Sequence, residues 1–348
     1  MKHYVLNYYS AFRCAAGACK HTCCAGWELN IDAETLCGYQ NEPSAYAATL
    51  KKGVNFKKSQ FRRDKAGRCA FLNGEGLCEI ILNLDEQRLC QVCRDHPRFR
   101  SFFGDREEMG LGFCCEEAAR LILSFPQKIE LLLEEGCEEE ERGVGGNLNA
   151  HGAGGNPAEG AIAPQQGGES VPLDYNQQNV LNFREKAIRI VQNRTETIEN
   201  RVQSLLKLCL ASPVQSDEKA VLKRFLSLER LDKTWTRRLK MLKDRPLIVP
   251  VKEELSLCCE QFLVNSLYRY LSDAEDTAWV RARAVACVFA WWVVQAVALQ
   301  NAPDGAAEGE RRLFFDVVEA ARAFSCEVDY SQKNLNSLFA FAYRFVKI

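Results

Sequence analysis

The chain has 348 residues, of which 47% are apolar, and its formal net charge is −1. This length favours two domains, and the apolar fraction is ordinary for a globular protein that buries a sizeable core. A net charge near zero argues against a protein that binds nucleic acid or a membrane surface through its overall charge. We therefore expect neither nucleic acid nor a membrane among its partners.

Seventeen cysteines are the most unusual feature of the chain, and eleven of them lie between Cys14 and Cys115. The first twelve residues lack the apolar core and cleavage site of a signal peptide, so we expect the protein in the cytoplasm. Structural disulfides are rare in that reducing compartment, where a dense cysteine region is more often a metal site. We predict a cysteine-cluster domain of helices and irregular loops over residues 1–137.

The cysteine spacing does not fix the identity of the metal. Thiolates suit zinc and iron–sulfur clusters best, so both stay open. If the first segment is helical, Cys19 and Cys23 lie one turn apart on one face and can share a metal. The C-x3-C-x2-C motif of radical S-adenosylmethionine enzymes would use the same two cysteines, but its third place is Gly26, which argues against ordinary radical chemistry.

Two further segments of this domain have a distinctive composition. Between Lys51 and Arg68 there are eight basic residues and one acid, Asp64. This segment is either a solvated face or a docking surface for an acidic partner or a ligand carboxylate. The segment from Cys69 to Cys78 contains two glycines, and we predict a tight loop that turns its flanking cysteines towards one point.

The next stretch is predicted to change from a helix to a linker. Apolar residues recur at helical spacing from Glu116 to Leu133, which predicts a helix. Residues 138–175 begin with an acidic run and contain nine glycines between Gly143 and Gly168. With almost no large apolar residues, this segment cannot offset the entropy of ordering it, so we predict a flexible linker.

Residues 176–348 are predicted to form an α-helical bundle domain, which makes the fold mainly α. One apolar face runs from Val180 to Cys209 at steps of three, four and seven residues. The uncharged run Ala284–Leu299 would span ~24 Å, short of the ~30 Å of a bilayer core, and we interpret it as a buried core helix. Further helices are predicted over Asp217–Leu242, Glu253–Leu271, Ala278–Leu299, Arg311–Phe324 and Gln332–Phe345.

Two segments near the start of the chain, Asn7–Cys14 (NYYSAFRC) and Cys19–Trp27 (CKHTCCAGW), resemble the opening of flagellin lysine-N-methylases of the FliB type. That opening is shared by a broader bacterial superfamily of cysteine-cluster, zinc- or iron-chelating proteins. The similarity continues through Cys69–Asn73, Leu77–Ile80, Cys93–Arg98, Cys115–Arg120, Ile190–Arg194 and Glu260–Asn265.

The resemblance implies an S-adenosylmethionine-dependent protein-lysine N-methyltransferase whose substrate is flagellin. It also implies an iron–sulfur cluster, 4Fe–4S in type, with zinc as the alternative metal. Carried over residue by residue, the metal ligands are Cys14, Cys19, Cys23, Cys24, Cys69, Cys78, Cys93 and Cys115. Three other cysteines look like extras: Cys37, Cys90 and Cys114.

The binding site for S-adenosylmethionine is less well defined by the sequence. No Gly-x-Gly-x-x-Gly follows a predicted strand, so the usual nucleotide-binding sheet of methyltransferases is not expected. The candidates near the cluster are Arg98, Arg94 and Trp27, with Arg98 the first choice for gripping the cofactor carboxylate. Tyr8, Tyr9 and Glu28 are further candidates, and no catalytic base is assigned. The alternative function is a non-catalytic zinc- or iron-binding protein of the same superfamily.

Overall fold

The computed structural model describes residues 1–26, 29–134, 173–211, 217–272, 274, 276–301 and 307–347. Within these residues the chain forms thirteen α-helices and six short strands, so the fold is mainly α as predicted. The strands are β1 (Lys2–Leu6), β2 (Val54–Asn55), β3 (Gln60–Phe61), β4 (Arg98–Phe103), β5 (Arg106–Leu111) and β6 (Leu131–Leu133).

Five short helices occupy the first part of the chain and eight helices follow residue 173. The first five are α1 (Ala33–Gln40), α2 (Ala47–Gly53), α3 (Glu79–Asn83), α4 (Gln91–Asp95) and α5 (Glu116–Leu123). The others are α6 (Tyr175–Val191), α7 (Ile198–Leu208), α8 (Glu218–Leu226), α9 (Lys233–Lys240), α10 (Ser256–Tyr270), α11 (Thr277–Ala298), α12 (Ala307–Val328) and α13 (Gln332–Tyr343).

The chain divides into two compact units. The cysteine unit consists of Arg13–Phe99 and Cys115–Glu117, and the helical unit consists of Met1–Phe12, Arg100–Cys114 and Ala118–Ile348. The domain boundary predicted at residues 137 and 138, and almost all of the predicted linker 138–175, lie outside the described residues. Both stay predictions.

The helical unit contains a sheet that the sequence analysis did not predict. Its strand order is β4-β5-β1-β6, with β1 parallel to β5 and antiparallel to β6. In β5 the side chains of Glu107 and Glu108 are buried, so the strand does not show the apolar alternation that would reveal it. Arg184 of α6 pairs with Glu108 through two contacts of 2.7 Å, which compensates the buried carboxylate.

Two predicted helices are shorter than their apolar patterns indicated. The helix predicted over Glu116–Leu133 ends at Leu123, and its last residues form β6 instead. Pro126 falls between them and cannot continue a helix, because it has no amide hydrogen and excludes the helical conformation from the residue before it. The helix predicted over Asp217–Leu242 is two helices, since the Asp232 carboxylate accepts bonds from the amides of Thr234 and Trp235 and starts α9 there.

The helix α11 forms the centre of the helical unit. It contacts α6, α7, α9, α10, α12 and α13, and 17 of its 22 residues are buried. By length and composition this helix could cross a membrane, but 89% of its most apolar 18-residue window is buried in the structure. The interpretation of Ala284–Leu299 as a buried core helix is consistent with this packing. Aromatic rings complete the core, with Phe262 lying 4.9 Å from Phe113 and 5.6 Å from Trp291.

The cysteine unit has its own apolar core. Residues from α1, α2, α3 and the β2–β3 hairpin meet there, with Phe61 and Phe71 packed edge to face at 5.3 Å. The Asp32 carboxylate caps α1 by accepting a bond from the amide of Thr35. Cysteine side chains are part of this core, and they define the candidate site.

Candidate metal and cofactor site

The first cysteine segment is not helical. A single 3-10 turn covers Ala16–Ala18 and ends before Cys19, so the helical spacing argued for Cys19 and Cys23 is wrong. A close backbone approach explains the irregular path. A Cβ atom added to Gly17 would lie 2.6 Å from the carbonyl oxygen of Glu75, which only glycine can accommodate. The amide of Lys20 donates to the Glu116 carboxylate at 3.1 Å and so joins this segment to residues 115–117.

Four thiols interact with one another in this region, and we call them the outer thiol group. They are partly or fully exposed, and the thiols of Cys14 and Cys115 contribute to a raised pKa at both Cys19 and Cys23. Burial, followed by the nearby thiols of Cys115 and Cys14, raises the pKa of Cys19 to about 11. The members of the outer thiol group are Cys14, Cys19, Cys23 and Cys115.

Five other thiols pack in the apolar core of the cysteine unit, and we call them the core thiol group. Cys69 and Cys90 are buried in that core, and the remaining three pack against it. The amide of Cys69 donates to the carbonyl of Cys24 at 2.8 Å, and Cys90 directly precedes α4, which carries Cys93. The members of the core thiol group are Cys24, Cys69, Cys78, Cys90 and Cys93.

The loop from Cys69 to Cys78 is as tight as the sequence predicted. The Asn73 side-chain oxygen accepts bonds from the amides of Glu75 and Leu77, both at 2.9 Å. Gly76 has φ +77°, a left-handed conformation that side-chain-bearing residues rarely adopt. The loop thereby returns the chain so that Leu72 bridges to Cys78, and both flanking cysteines reach the same core.

In two hydrogen-bonded pairs of thiols, the pKa of one partner is lowered and that of the other is raised. A hydrogen bond from Cys23 lowers the pKa of Cys24 to about 7, and the same bond together with burial raises the pKa of Cys23. A hydrogen bond from Cys93 likewise lowers the pKa of Cys90. Burial raises the pKa of Cys69 to about 12. One thiol of each hydrogen-bonded pair therefore loses its proton more readily, and the thiolate is the form in which cysteine binds metals.

The three cysteines taken as extras have different environments. Cys90 belongs to the core thiol group, although the resemblance left it out of the ligand set. Cys37 is exposed within α1, where its sulfur lies 3.5 Å from the side-chain amide nitrogen of Asn41. Cys114 belongs to the helical unit, and its buried thiol donates to the Tyr330 hydroxyl at 2.9 Å. Burial close to Cys93 and Cys69 is the structural reason to count Cys90 among the candidate ligands.

The chemistry of these side chains fits a thiolate-bound metal better than any other kind of site. Soft sulfur donors select zinc, copper(I) and iron–sulfur clusters over magnesium or calcium. In the described parts of the chain, no set of three or more His, Cys, Asp or Glu side chains is arranged to hold a metal ion. A zinc site needs four donors within about 2.0–2.3 Å of one ion. An iron–sulfur cluster is likewise held by cysteine thiolates.

Of the predicted cofactor-binding residues, Arg98 and Arg94 lie in the described part of the chain. The Arg98 guanidinium donates to the carbonyl of Arg94 at 2.8 Å and is half-buried, whereas Arg94 is exposed. Trp27 and Glu28 lie outside the described residues. Tyr8 and Tyr9 belong to the helical unit. Tyr8 is fully buried, and its hydroxyl donates to the side-chain oxygen of Asn265.

The two segments of the second half that carry the resemblance, Ile190–Arg194 and Glu260–Asn265, supply polar contacts within the helical unit. Arg194 and Arg201 both bind the Glu260 carboxylate, each at 2.7 Å. The Asn265 amide donates to the carbonyl of Leu111 at 3.1 Å. These residues connect helices of the helical unit to one another and to β5. Their geometry gives them a structural role, which their sequence pattern alone did not indicate.

Over about a third of its length the chain is distantly similar to curated proteins named for flagellar biosynthesis and for lysine N-methylation. The flagellar biosynthetic protein FliU of Salmonella muenchen is 27% identical over 128 residues, which cover 34% of this chain and 76% of FliU. The lysine-N-methylases of Salmonella typhimurium LT2 and Salmonella choleraesuis SC-B67 are each 26% identical over 128 residues. That match covers 34% of this chain and 32% of each methylase. No protein-family model and no solved structure matches the chain.

Proposed function

We propose that this protein is a lysine N-methyltransferase that moves methyl groups from S-adenosylmethionine to lysine side chains of flagellin. The observation that supports it most directly is the similarity to the two Salmonella lysine-N-methylases, together with the flagellar name of FliU. We expect the reaction in the cytoplasm. The similar region is about a third of this chain, so the activity and the substrate are proposals for the whole protein.

The proposed cofactor beside S-adenosylmethionine is an iron–sulfur cluster, 4Fe–4S in type. The outer and core thiol groups supply the thiolates that such a cluster requires, and each group has at least four members. A bound cluster supplies an electron-transfer or substrate-coordinating centre. The protein side chains, by contrast, set which thiols are deprotonated and how far the site is exposed to water.

Methyl transfer to lysine places two demands on the protein itself. A free lysine amine has a pKa of about 10.4, so the site must desolvate the ammonium or offer a base. It must also hold the nitrogen, methyl carbon and sulfur in line. We propose Arg98 as the group that binds the cofactor carboxylate, because a half-buried guanidinium can form two parallel bonds to it.

A second candidate function is non-catalytic binding of zinc or iron through the cysteines. The observation that favours it is the coverage: FliU matches over 76% of its length, whereas the methylases match over 32% of theirs. The matched region is thus most of one relative and a minor part of the others. A cysteine module without methylase activity is consistent with that difference.

The deciding experiment is anaerobic purification, followed by iron, sulfide and zinc analysis and a methyl-transfer assay on flagellin with labelled S-adenosylmethionine. We expect a broad absorption near ~400 nm, iron and sulfide in equal amounts, and label on flagellin lysines. Stoichiometric zinc without label on flagellin would establish the non-catalytic function instead.

Cysteine variants make this test specific for the thiol groups. We expect Cys19→Ser, in the outer group, and Cys69→Ser, in the core group, each to lower the metal content by at least half. Cys37→Ser is the matched control, because Cys37 is exposed and belongs to neither group. Equal metal loss in all three variants would contradict a specific role for the thiol groups.

A further inference from the structure

A basic pocket lies on the β2–β3 hairpin and the turn that follows it. Its volume is about 460 Å³, and it is open to solvent. All of its lining residues belong to the cysteine unit and none of them is a cysteine. They are Asn55, Lys58, Gln60, Phe61, Arg62, Arg63, Asp64, Lys65 and Gly67.

Hydrogen bonds to both the amide and the carbonyl of Arg62 fix the backbone of this pocket. The amide of Arg62 donates to the carbonyl of Gly53 at 2.7 Å, and the carbonyl of Arg62 accepts from Ala70 at 2.9 Å. Phe61 is 5% exposed and packs on Phe71, so the hairpin is anchored in the core of the unit. A fixed backbone presents its basic side chains together, which reduces the entropy lost when a ligand binds.

The charge of the pocket is strongly positive. Lys58, Arg62 and Lys65 are exposed, and among the described residues no carboxylate forms an ion pair with any of these three. The one acid in the lining is Asp64, whose carboxylate oxygen accepts bonds from the amides of Ala66 at 2.8 Å and Arg68 at 2.9 Å. That carboxylate shapes the turn and offsets one of the four positive charges in the lining, which leaves the pocket with a net positive charge.

The size of the pocket and the residues that line it favour one class of anionic ligand over others. Phe61 is its one aromatic residue and is buried, so the pocket offers no stacking platform for the bases of a single-stranded nucleic acid. A single small anion would fill a minor part of 460 Å³. Carboxylates match guanidinium and ammonium groups in charge and geometry, and an extended acidic peptide can reach several of them at once.

We propose that this basic hairpin pocket is a docking site for an acidic segment, rich in Asp and Glu, of a partner protein. The proposal does not depend on methyl transfer. The sequence left open whether Lys51–Arg68 is a solvated face or a docking surface, and the proposal favours the docking surface. The cations that line the pocket would then bind the partner.

The test is fluorescence anisotropy of a labelled ten-residue glutamate peptide titrated with the full-length protein at low and physiological salt. We expect saturable binding that weakens with salt, because screening shortens the reach of exposed charges to about 8–10 Å. The pocket variant is Lys58→Glu with Arg62→Glu, and we expect it to bind at least tenfold more weakly.

The matched control is Lys51→Glu with Lys52→Glu. It changes the net charge by the same amount, in the same unit and on exposed residues that do not line the pocket. We expect it to weaken binding by less than the pocket variant does, because neither side chain lines the pocket. Equal weakening by both variants, no saturable binding, or equally tight binding of a single-stranded oligonucleotide of the same charge would overturn the proposal. Circular dichroism of each variant checks that the fold is retained.

Discussion

At the scale of single residues, the most consequential contacts involve charges buried in the helical unit. Glu260 is 1% exposed and bound by Arg194 and Arg201. Removing one partner of a buried charge group leaves the remaining charge desolvated and uncompensated. The exposed pair Glu185–Arg189 on α6 has the same chemistry without the burial. The two sites therefore separate the effect of burial from that of charge pairing.

We predict that Glu260→Gln lowers the free energy of unfolding by ~3–5 kcal/mol, because Arg201 keeps its buried charge. Glu185→Gln should change it by less than ~1 kcal/mol, as for other solvent-exposed pairs. Urea unfolding followed by tryptophan fluorescence measures both, since four of the five tryptophans belong to the helical unit. Similar values for the two variants would show that Glu260 is not buried as described.

At the scale of secondary-structure elements, close packing decides which residues the short helices tolerate. Gly53 ends α2, and a Cβ added there would clash with the ring of Phe71, at Cζ most severely. Two opposing effects compete at this position. Replacing glycine by alanine favours a helix by up to ~1 kcal/mol, whereas overpacking a well-filled core costs ~1–3 kcal/mol. The contact is with a buried ring, so we expect the overpacking to prevail.

We predict that Gly53→Ala destabilises the cysteine unit by ~1–3 kcal/mol, seen as faster amide hydrogen exchange in α2 and in the Phe71 segment. Gly74→Ala is the matched control, because nothing lies within 4 Å of its added Cβ. Adding Phe71→Leu to Gly53→Ala should recover part of the loss by making room for the methyl group. A stabilised Gly53→Ala variant would show that the ring moves aside at little cost.

At the scale of the whole molecule, α11 organises the helical unit through its burial on all sides. Its apolar composition meets the length and hydropathy of a membrane span, yet most of it contacts other helices. A helix that is hydrophobic all round needs an apolar environment, which the neighbouring helices supply here. A charge placed at its centre should therefore disrupt the packing of the entire unit.

We predict that Ala290→Asp lowers the free energy of unfolding by at least ~4 kcal/mol, because an isolated carboxylate would be buried without a partner. The same change at Ala340, which is exposed on α13, should cost less than ~1 kcal/mol through helix propensity alone. Urea unfolding measures the difference. Comparable losses would mean that α11 is not the buried centre of the unit.

Three features could be predicted from the sequence, namely the mainly helical fold, the buried helix near Ala284–Leu299 and the tight loop before Cys78. These features depend on local periodicity and on turn residues, which a short window of sequence contains. The tertiary structure decided that β1 pairs with β5, that Glu260 binds two arginines, and that the thiols fall into an outer and a core group. Such contacts join residues far apart in the chain, so they depend on which surfaces meet when the chain folds. Cys90 shows the difference most clearly, because the resemblance leaves it out of the ligand set, whereas the structure packs it in the core thiol group with Cys69 and Cys93.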